Sequence, residues 1–378
     1  MKTISIFLLS LFTFLYGICA IPGTIQWSYL TKGWITASPI QVNNQIFFSS
    51  NDGNVYALST SGSKLWSYRI GYEIQTSPIA IPVNNTLIVA CTNSMVIALN
   101  TLTGTLLWST NITLLTNSIN PLVIFATPIL SLDNTLLFIT TATTVTDTLT
   151  NYVVALTTSG GTAVWLNTTS YAIYSTPTLS IDGTKLFFAD DSSTLYSVNT
   201  GTGYLDWKVT VGARVYGPVT ADTDQAFVSD NAGSIQAFFT FSGVEQWNSI
   251  VTTGVCYPTL YNPNNILYIG CSNNGSIYSL NVNNNGNYVW PTPWLTPTNA
   301  PLYSAPTIGI TPGTSSNVTV YVGSSDTCLY ALNDSQNGTL TWSVCTEGEI
   351  RSSPLLDPVN NVLYIGSLDG RIYSISTA

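Results

Sequence analysis

The chain has 378 residues, of which 45% are hydrophobic and only 7% are charged, and its net charge is −9. Its nine lysines and arginines are too few to form the basic surface that nucleic-acid binding requires, so that class of function is excluded. The chain contains no histidine, which excludes serine–histidine and cysteine–histidine catalysis as well as metal sites built on histidine.

The first 20 residues have the pattern of a secretory signal peptide. Lys2 precedes an apolar run from Ile4 to Tyr16, and the small-residue stretch Gly17–Ala20 follows as a cleavage site. We therefore predict a signal peptide over 1–20 and a single domain over 21–378, in a protein that is secreted or held in the secretory lumen or at the cell surface. No later segment has the roughly 18 consecutive apolar residues of a membrane span, and we expect a monomer.

After the signal peptide, a proline recurs every 39 to 50 residues and opens an apolar segment each time. Between these prolines lie short β-branched and aromatic runs bounded by Asn, Asp, Gly and Ser, which predict strands joined by turns. The first repeat predicts an inner strand from Ile40 and then strands over Ile46–Ser50, Val55–Ser59 and Lys64–Tyr68. A period of this length with this content is typical of a β-propeller. The prolines are Pro39, Pro78, Pro128, Pro177, Pro218, Pro258, Pro306 and Pro354.

A tryptophan ends each repeat, and a turn glycine precedes it, as in the phrase Ala98–Trp108. The eighth repeat breaks off before this glycine and tryptophan, and the missing parts occur at Gly23–Trp27 instead. The sequence therefore predicts an all-β, eight-bladed propeller with four-stranded antiparallel blades, in which the N-terminal strand closes the last blade. We expect the tryptophans to pack between neighbouring blades: Trp27, Trp66, Trp108, Trp165, Trp207, Trp247, Trp290 and Trp342.

The repeat resembles that of pyrroloquinoline-quinone-like propellers. The resemblance rests on Gly53–Leu58, on Gly275–Leu280 and Gly370–Ile375 with Ser in place of Ala, and on Ala98–Trp108. That family includes quinoprotein dehydrogenases, and it also includes non-catalytic binding propellers such as a subunit of the bacterial outer-membrane assembly machinery. The resemblance therefore implies the fold and leaves the activity open.

A quinoprotein dehydrogenase of this family is expected to carry two adjacent cysteines beside the quinone, and carboxylate and amide ligands for calcium. This chain has no Cys-Cys pair, and its acidic clusters, Asp190-Asp191 and Asp222 with Asp224, are expected to be turn residues. We therefore expect no catalytic residue, no metal and no cofactor. Pyrroloquinoline quinone with calcium is expected only under the alternative hypothesis, a quinone-dependent oxidoreductase.

Four cysteines are predicted to form two disulfides. Pairing Tyr261 with Ile266 across the turn of the sixth repeat places Cys256 opposite Cys271. Pairing Ala331 with Trp342 in the seventh repeat places Cys328 opposite Cys345. Directly opposed strand positions are about 4.5–5.5 Å apart, close to disulfide reach, and such bridges indicate an oxidising compartment. The remaining Cys91 is expected to be a buried thiol.

Seven Asn-x-Ser/Thr sequons, most of them at predicted turns, are candidate glycosylation sites in a secreted protein. They are Asn84, Asn111, Asn167, Asn274, Asn317, Asn333 and Asn337.

Residues two to five places before the prolines are expected to ring one mouth of the central channel. Aromatic faces with a few charges suit a sugar, a peptide or a small polar ligand.

Two longer connections, Thr140–Asn151 and Pro291–Pro301 with its Trp294, are candidate binding loops. Our main hypothesis is a secreted, non-catalytic binding or scaffold protein whose partner is a protein, a glycan or a small polar ligand. Alternatively, the residues before the prolines only fill the channel mouth, and Arg351 forms an ion pair with Glu349 or Glu73. The candidate ligand-binding residues are Trp34, Glu73, Phe125, Tyr174, Arg214, Tyr216, Tyr303, Glu349 and Arg351.

Overall fold

The structure, a computed structural model, describes residues 21–143, 150–310 and 318–378. Within these ranges the chain forms eight antiparallel blades of four strand positions each, so the all-β, eight-bladed propeller predicted from the repeats is confirmed. We call the strands of a blade A to D, from the central channel outward. No helix in the described part of the chain is long and apolar enough to cross a bilayer.

In blades 1 to 4 the four strands follow one another in the sequence, and strand A is the shortest. These strands are Ile40–Val42, Gln45–Ser49, Asn54–Ser59 and Lys64–Arg69 in blade 1; Ile79–Ile81, Thr86–Ala90, Met95–Asn100 and Leu106–Asn111 in blade 2; Ile129–Leu130, Leu136–Thr140, Asn151–Thr157 and Ala163–Thr169 in blade 3; and Thr178–Leu179, Lys185–Asp190, Thr194–Asn199 and Leu205–Thr210 in blade 4.

Blade 6 shares its outer position between two short strands, and blade 8 takes its outer strand from the start of the described chain. The strands are Thr220–Ala221, Gln225–Ser229, Ser234–Phe239 and Glu245–Ile250 in blade 5; Cys256–Tyr261, Ile266–Cys271, Ser276–Asn281, and Asn287–Tyr288 with Trp294–Leu295 in blade 6; Thr307–Ile310, Val318–Gly323, Cys328–Asn333 and Thr339–Cys345 in blade 7; and Leu355–Asp357, Val362–Gly366, Arg371–Ser376 and Ile25–Leu30 in blade 8.

Little of the described chain is helical. The α-helix Ile112–Leu115 begins where the Asn111 side chain accepts a hydrogen bond from the Leu114 amide. A small ribbon pairs Leu122–Val123 with Ala142–Thr143 beside blade 3. Short 3-10 turns occupy Pro82–Asn84, Asn262–Asn264, Val282–Asn284 and Asp334–Gln336.

The ring closes as predicted. Ile25–Leu30 pairs antiparallel with Arg371–Ser376, which places Trp27 opposite Ser374. The Gly23 amide adds a 2.8 Å hydrogen bond to the Ser376 carbonyl. Blade 8 therefore has its full set of strands, and backbone hydrogen bonds join the two ends of the described chain.

Each outer tryptophan lies on the turn glycine of the next blade. The Trp66 indole of blade 1 donates a 2.8 Å hydrogen bond to the Thr101 carbonyl of blade 2 and covers Gly104. A Cβ at Gly104 would stand 2.7 Å from the Trp66 ring, and φ there is +71°, so glycine is required. The same contact repeats around the ring, as Trp27 on Gly62, Trp66 on Gly104, Trp108 on Gly161, Trp165 on Gly203, Trp207 on Gly243, Trp247 on Gly286, Trp290 on Gly338 and Trp342 on Gly23.

Both predicted disulfides are present. Cys256–Cys271 links strands A and B of blade 6, and Cys328–Cys345 links strands C and D of blade 7, in the registers inferred from the sequence. Cys91 is a free, buried thiol, and burial raises its pKa to about 12.

The predicted signal peptide, residues 1–20, and the sequon at Asn317 lie outside the described residues. Asn84 and Asn337 are exposed, and the other four sequon asparagines are half-buried. The Asn167 amide donates a hydrogen bond to the Gly203 carbonyl of the next blade, so that side chain already has a structural role. Glycosylation itself stays a prediction.

The adjacent glycines of blade 3 test the tryptophan–glycine contact. Gly161→Ala forces a positive φ on alanine and places its Cβ 2.5 Å from Trp108, so we expect a loss of at least about 2 kcal/mol in the free energy of unfolding. Gly160→Ala meets nothing within 4 Å and is the matched control. Urea unfolding of both variants measures the difference, and equal stabilities would contradict this account of the blade junction.

Alkylation followed by peptide mapping tests the cysteine assignments. Without reductant, denatured protein should be labelled at Cys91 and at none of the four bridged positions. Native protein at neutral pH should leave Cys91 unlabelled, because the thiol is buried and stays protonated. The bridges span 15 and 17 residues, so reduction should lower the free energy of unfolding by about 3 kcal/mol for each. Labelling of a bridged cysteine before reduction would refute its pairing.

Candidate functional site

The loops from strand D of one blade to strand A of the next are anchored by one repeated backbone hydrogen bond. In blade 1 the Asn51 amide donates to the Trp34 carbonyl at 2.9 Å, and in blade 8 the Leu368 amide donates to the Glu349 carbonyl at 2.8 Å. Within the described chain, seven blades have this bond, and their anchor residues are Trp34, Glu73, Ala172, Arg214, Val255, Pro301 and Glu349. This hydrogen bond places the same point of each loop at an equivalent position beside the channel.

Two residues beyond each anchor, a side chain reaches the channel. These side chains and Phe125 of blade 3 line one cavity of about 490 Å³ at the channel mouth. We call this set, one residue from each blade, the mouth ring. Beginning at blade 1, its members are Thr36, Gln75, Phe125, Tyr174, Tyr216, Tyr257, Tyr303 and Arg351.

The mouth ring has an aromatic side, formed by blades 3 to 7. We call Phe125, Tyr174, Tyr216, Tyr257 and Tyr303 the aromatic arc. The centroids of Phe125 and Tyr174 are 5.9 Å apart, and those of Tyr174 and Tyr216 are 5.7 Å apart, so these rings contact one another. Phe125 is 38% exposed, and the tyrosines are half-buried. Part of each ring is therefore open to the cavity.

Hydroxyl groups line the opposite side, next to the strand-A prolines. The Ala305 amide donates to Ser353 Oγ at 3.0 Å, Ser353 N to Ser38 Oγ at 2.9 Å, Ser38 N to Ser77 Oγ at 3.0 Å, and Ser77 N to Thr127 Oγ1 at 3.1 Å. Each bond runs from one blade to the next. We call Ser353, Ser38, Ser77 and Thr127 the hydroxyl arc. Serine and threonine precede many of the prolines because their oxygens satisfy the amide of the preceding blade.

The charges at the mouth are paired. Arg351 Nη2 lies 2.7 Å from Glu349 Oε2, and its guanidinium stacks 4.9 Å from the centroid of the Tyr303 ring. Arg214 Nε lies 3.7 Å from Asp191 Oδ1, and Arg214 Nη1 is 3.5 Å from the Tyr216 hydroxyl. The rim therefore carries two ion pairs in which each arginine has a carboxylate partner.

The structure brings together five of the nine predicted ligand-binding residues, Phe125, Tyr174, Tyr216, Tyr303 and Arg351. The other four are anchor residues, and their side chains do not line the cavity. Arg214 and Glu349 flank it through their contacts with Tyr216 and Arg351. Trp34 and Glu73 line a separate groove of about 470 Å³ beside blades 8 and 1, where the Trp34 side chain is 59% exposed.

Sequence reasoning missed Thr36 and Gln75 because it chose only aromatic and charged residues before the prolines. It missed Tyr257 because this residue directly precedes Pro258 and so lies outside the window of two to five places. The proline comes three residues after the mouth-ring side chain in most blades, but two residues after Tyr216 and one after Tyr257. In seven blades the mouth-ring residue lies two positions after the anchor residue. The residue types do not show which residue forms the anchor bond.

Two of the phenols at the mouth have raised pKa values. Burial raises the pKa of Tyr257 to about 12. Burial, followed by the Asp191 carboxylate, also raises the pKa of Tyr174. Both groups therefore stay protonated near neutral pH.

The acidic clusters are structural. Asp190 is buried, contrary to the solvated turn residue expected, and accepts hydrogen bonds from the Ser192 amide at 3.0 Å and the Tyr196 hydroxyl at 2.9 Å. Asp222 accepts the amides of Asp224 and Gln225 at 2.8 and 2.6 Å. Among the residues that the structure describes, no three Asp, Glu, Cys or His side chains are grouped so that they could hold a metal ion.

The prediction that Pro291–Pro301 presents Trp294 as a binding loop is wrong. Trp294 is half-buried and packs 5.0 Å from the Tyr330 ring, and Trp294–Leu295 pairs with strand C of blade 6. The insertion therefore supplies part of the outer strand of that blade. In the other predicted loop, Thr140–Asn151, residues 144–149 lie outside the described ranges.

A family model described as outer membrane protein assembly factor BamB matches residues 5–149 and 149–271. No curated protein matches the chain. Among solved structures, BamB from Moraxella catarrhalis superposes with a TM-score of 0.72 at 18% identity, over 93% of this chain and 99% of that one.

Two enzymes have a similar fold. A europium-containing methanol dehydrogenase superposes with a TM-score of 0.71 at 13% identity, over 92% of this chain and 86% of that one. Quinohemoprotein alcohol dehydrogenase from Comamonas testosteroni superposes with a TM-score of 0.71 at 11% identity, over 93% of this chain and 76% of that one. At these identities the likeness concerns the fold alone.

Replacement of one member of the hydroxyl arc tests its role. Ser353→Ala leaves the Ala305 amide without its acceptor, so we expect a loss of about 1–3 kcal/mol in the free energy of unfolding. Ser353→Thr should restore stability, because threonine occupies the equivalent place as Thr127 in blade 3. Urea unfolding measures both effects, and an unchanged Ser353→Ala variant would show that the arc does not join the blades.

Proposed function

Because the chain belongs to the family of pyrroloquinoline-quinone-like propellers that includes the outer membrane protein assembly factor BamB, we propose that it is a non-catalytic binding scaffold. It holds its ligand or partner at the channel mouth. The observation that carries this proposal is the mouth ring, in which every blade contributes one side chain to one cavity. The description of the family as an assembly factor supports a protein partner, free or carrying a glycan.

The chemistry of the mouth favours binding over catalysis. Its lining offers hydroxyls, phenols, one amide and the Arg351 guanidinium, which is already paired with Glu349. The raised pKa values of Tyr174 and Tyr257 keep both phenols protonated, and the chain has no histidine. Such groups orient a ligand through hydrogen bonds and ring contacts without taking or giving a proton.

Pyrroloquinoline quinone with calcium does not fit this lining. Calcium takes about six to eight oxygen ligands, with carboxylates prominent among them. The described lining of the mouth contains no Asp or Glu side chain. We therefore assign no redox step to the protein.

We also propose that the protein is secreted. The support is the pair of disulfides, because such bridges form and persist in oxidising compartments and are rare in the cytosol. The signal-like sequence of residues 1–20 agrees with this route.

Partner capture with matched variants tests the binding function. Tagged wild-type protein and the double variant Tyr174→Ala, Tyr303→Ala are incubated with the secreted fraction of the source cells, and bound proteins are identified by mass spectrometry. The control is Tyr204→Ala, whose side chain is 77% exposed on the turn between strands C and D of blade 4. We expect one set of partners to bind wild type and the control and to be lost from the double variant, whose aromatic arc is broken.

Retention of the same partners by the double variant would place the binding surface elsewhere. Pyrroloquinoline quinone added with calcium provides the second readout. We expect no shift in melting temperature and no retained absorbance after gel filtration, whereas stoichiometric quinone retention would support the oxidoreductase instead.

A further inference from the structure

The hydroxyl arc presents unused hydrogen-bond donors to the cavity. Ser38, Ser77, Thr127 and Ser353 each accept a backbone amide, which leaves the hydroxyl proton of each side chain without a protein acceptor in the described chain. A hydroxyl proton without an acceptor favours a ligand that brings oxygen atoms.

The aromatic arc lies on the other side of the same cavity. Partly exposed rings such as Phe125 and Tyr174 favour a ligand that also has an apolar face. A purely apolar ligand would leave the hydroxyl protons of the hydroxyl arc without partners. The ligand therefore has two characters at once, an apolar face on one side and oxygen atoms on the other.

The paired charges argue against an ionic ligand. Arg351 is neutralised by Glu349 and Arg214 by Asp191, at 2.7 and 3.7 Å. An anion would have to break one of these pairs, and a cation would meet a carboxylate that is already engaged. A neutral ligand leaves both ion pairs intact.

From these observations we propose that the mouth binds a neutral pyranose sugar, either free or as the end unit of a glycan. The C–H face of the pyranose stacks on the aromatic arc, and its hydroxyl oxygens accept hydrogen bonds from the hydroxyl arc. This inference rests on the proposed function, because it names the ligand of the same site. The cavity of about 490 Å³ is of the size that small-ligand sites have.

Calorimetric titration of the mature protein with methyl glucopyranoside, methyl mannopyranoside and methyl galactopyranoside tests the proposal. We expect saturable binding of at least one of them, about tenfold weaker in Phe125→Ala, with little dependence on salt. Tyr204→Ala should bind as wild type does. If neither the three glycosides nor the corresponding free hexoses bind saturably up to their solubility limits, or if Phe125→Ala binds equally well, the proposal is overturned.

The melting temperature of Phe125→Ala is measured alongside its sugar affinity, so that a loss of binding is separated from a loss of folding. Comparison of each glycoside with its free hexose distinguishes the sources: a site for a free sugar prefers the hexose, and a site for a glycan end accepts the glycoside equally.

The two proposals can fail separately. If partners are captured through the aromatic arc but remain bound after their glycans are removed enzymatically, the binding scaffold stands and the sugar assignment falls. If the double variant Tyr174→Ala, Tyr303→Ala retains every partner and no glycoside binds, both fall.

Discussion

The contact between an outer tryptophan and a glycine of the following blade is the interaction on which the rest of the structure depends. A blade has two apolar faces and cannot bury both alone, so each must fit against its neighbours. Strand D supplies a flat indole, and the next turn supplies a glycine whose backbone the indole can reach. Because the contact also joins Trp342 to Gly23, it is as complete where the two ends of the described chain meet as elsewhere in the ring.

Closure of the ring gives the mouth its geometry. Once neighbouring blades are fixed, the anchor bonds hold the loops in equivalent positions. The side chain two residues after each anchor then lines the channel mouth. Tyrosines of strand C add support, as when the Tyr56 hydroxyl donates to Asp52 at 2.7 Å and Asp52 accepts the Lys32 amide at 3.1 Å. The scaffold is thus repetitive, while the side chains at the mouth differ from blade to blade. A repeating frame can in this way present an asymmetric binding surface.

The sequence was sufficient for the architecture because repetition averages out local ambiguity. The strand closed by Trp27 and both disulfide registers followed from aligning one repeat on another. The mouth was harder to predict, because the depth of a side chain depends on the path of its loop. Trp34 and Glu73 precede their prolines as expected, but they hold the anchor position and point away from the channel cavity. Trp294 was misread because proline-rich composition does not reveal that a segment will pair with strand C of its own blade.

The closing strand also dictates an order of events during biosynthesis. Gln26 and Ser374 interact across 348 residues, so the early strand must wait until Arg371–Ser376 has been synthesised before it finds its partner. Until then, blade 8 is incomplete and the edge of Arg371–Ser376 is open to pairing with any other strand. The seven blades between can assemble from neighbouring segments, but the ring as a whole can close only after Arg371–Ser376 is available. Closure of blade 8 is therefore the last step in assembling the ring, and a chaperone that shields the Ile25–Leu30 segment would act before it.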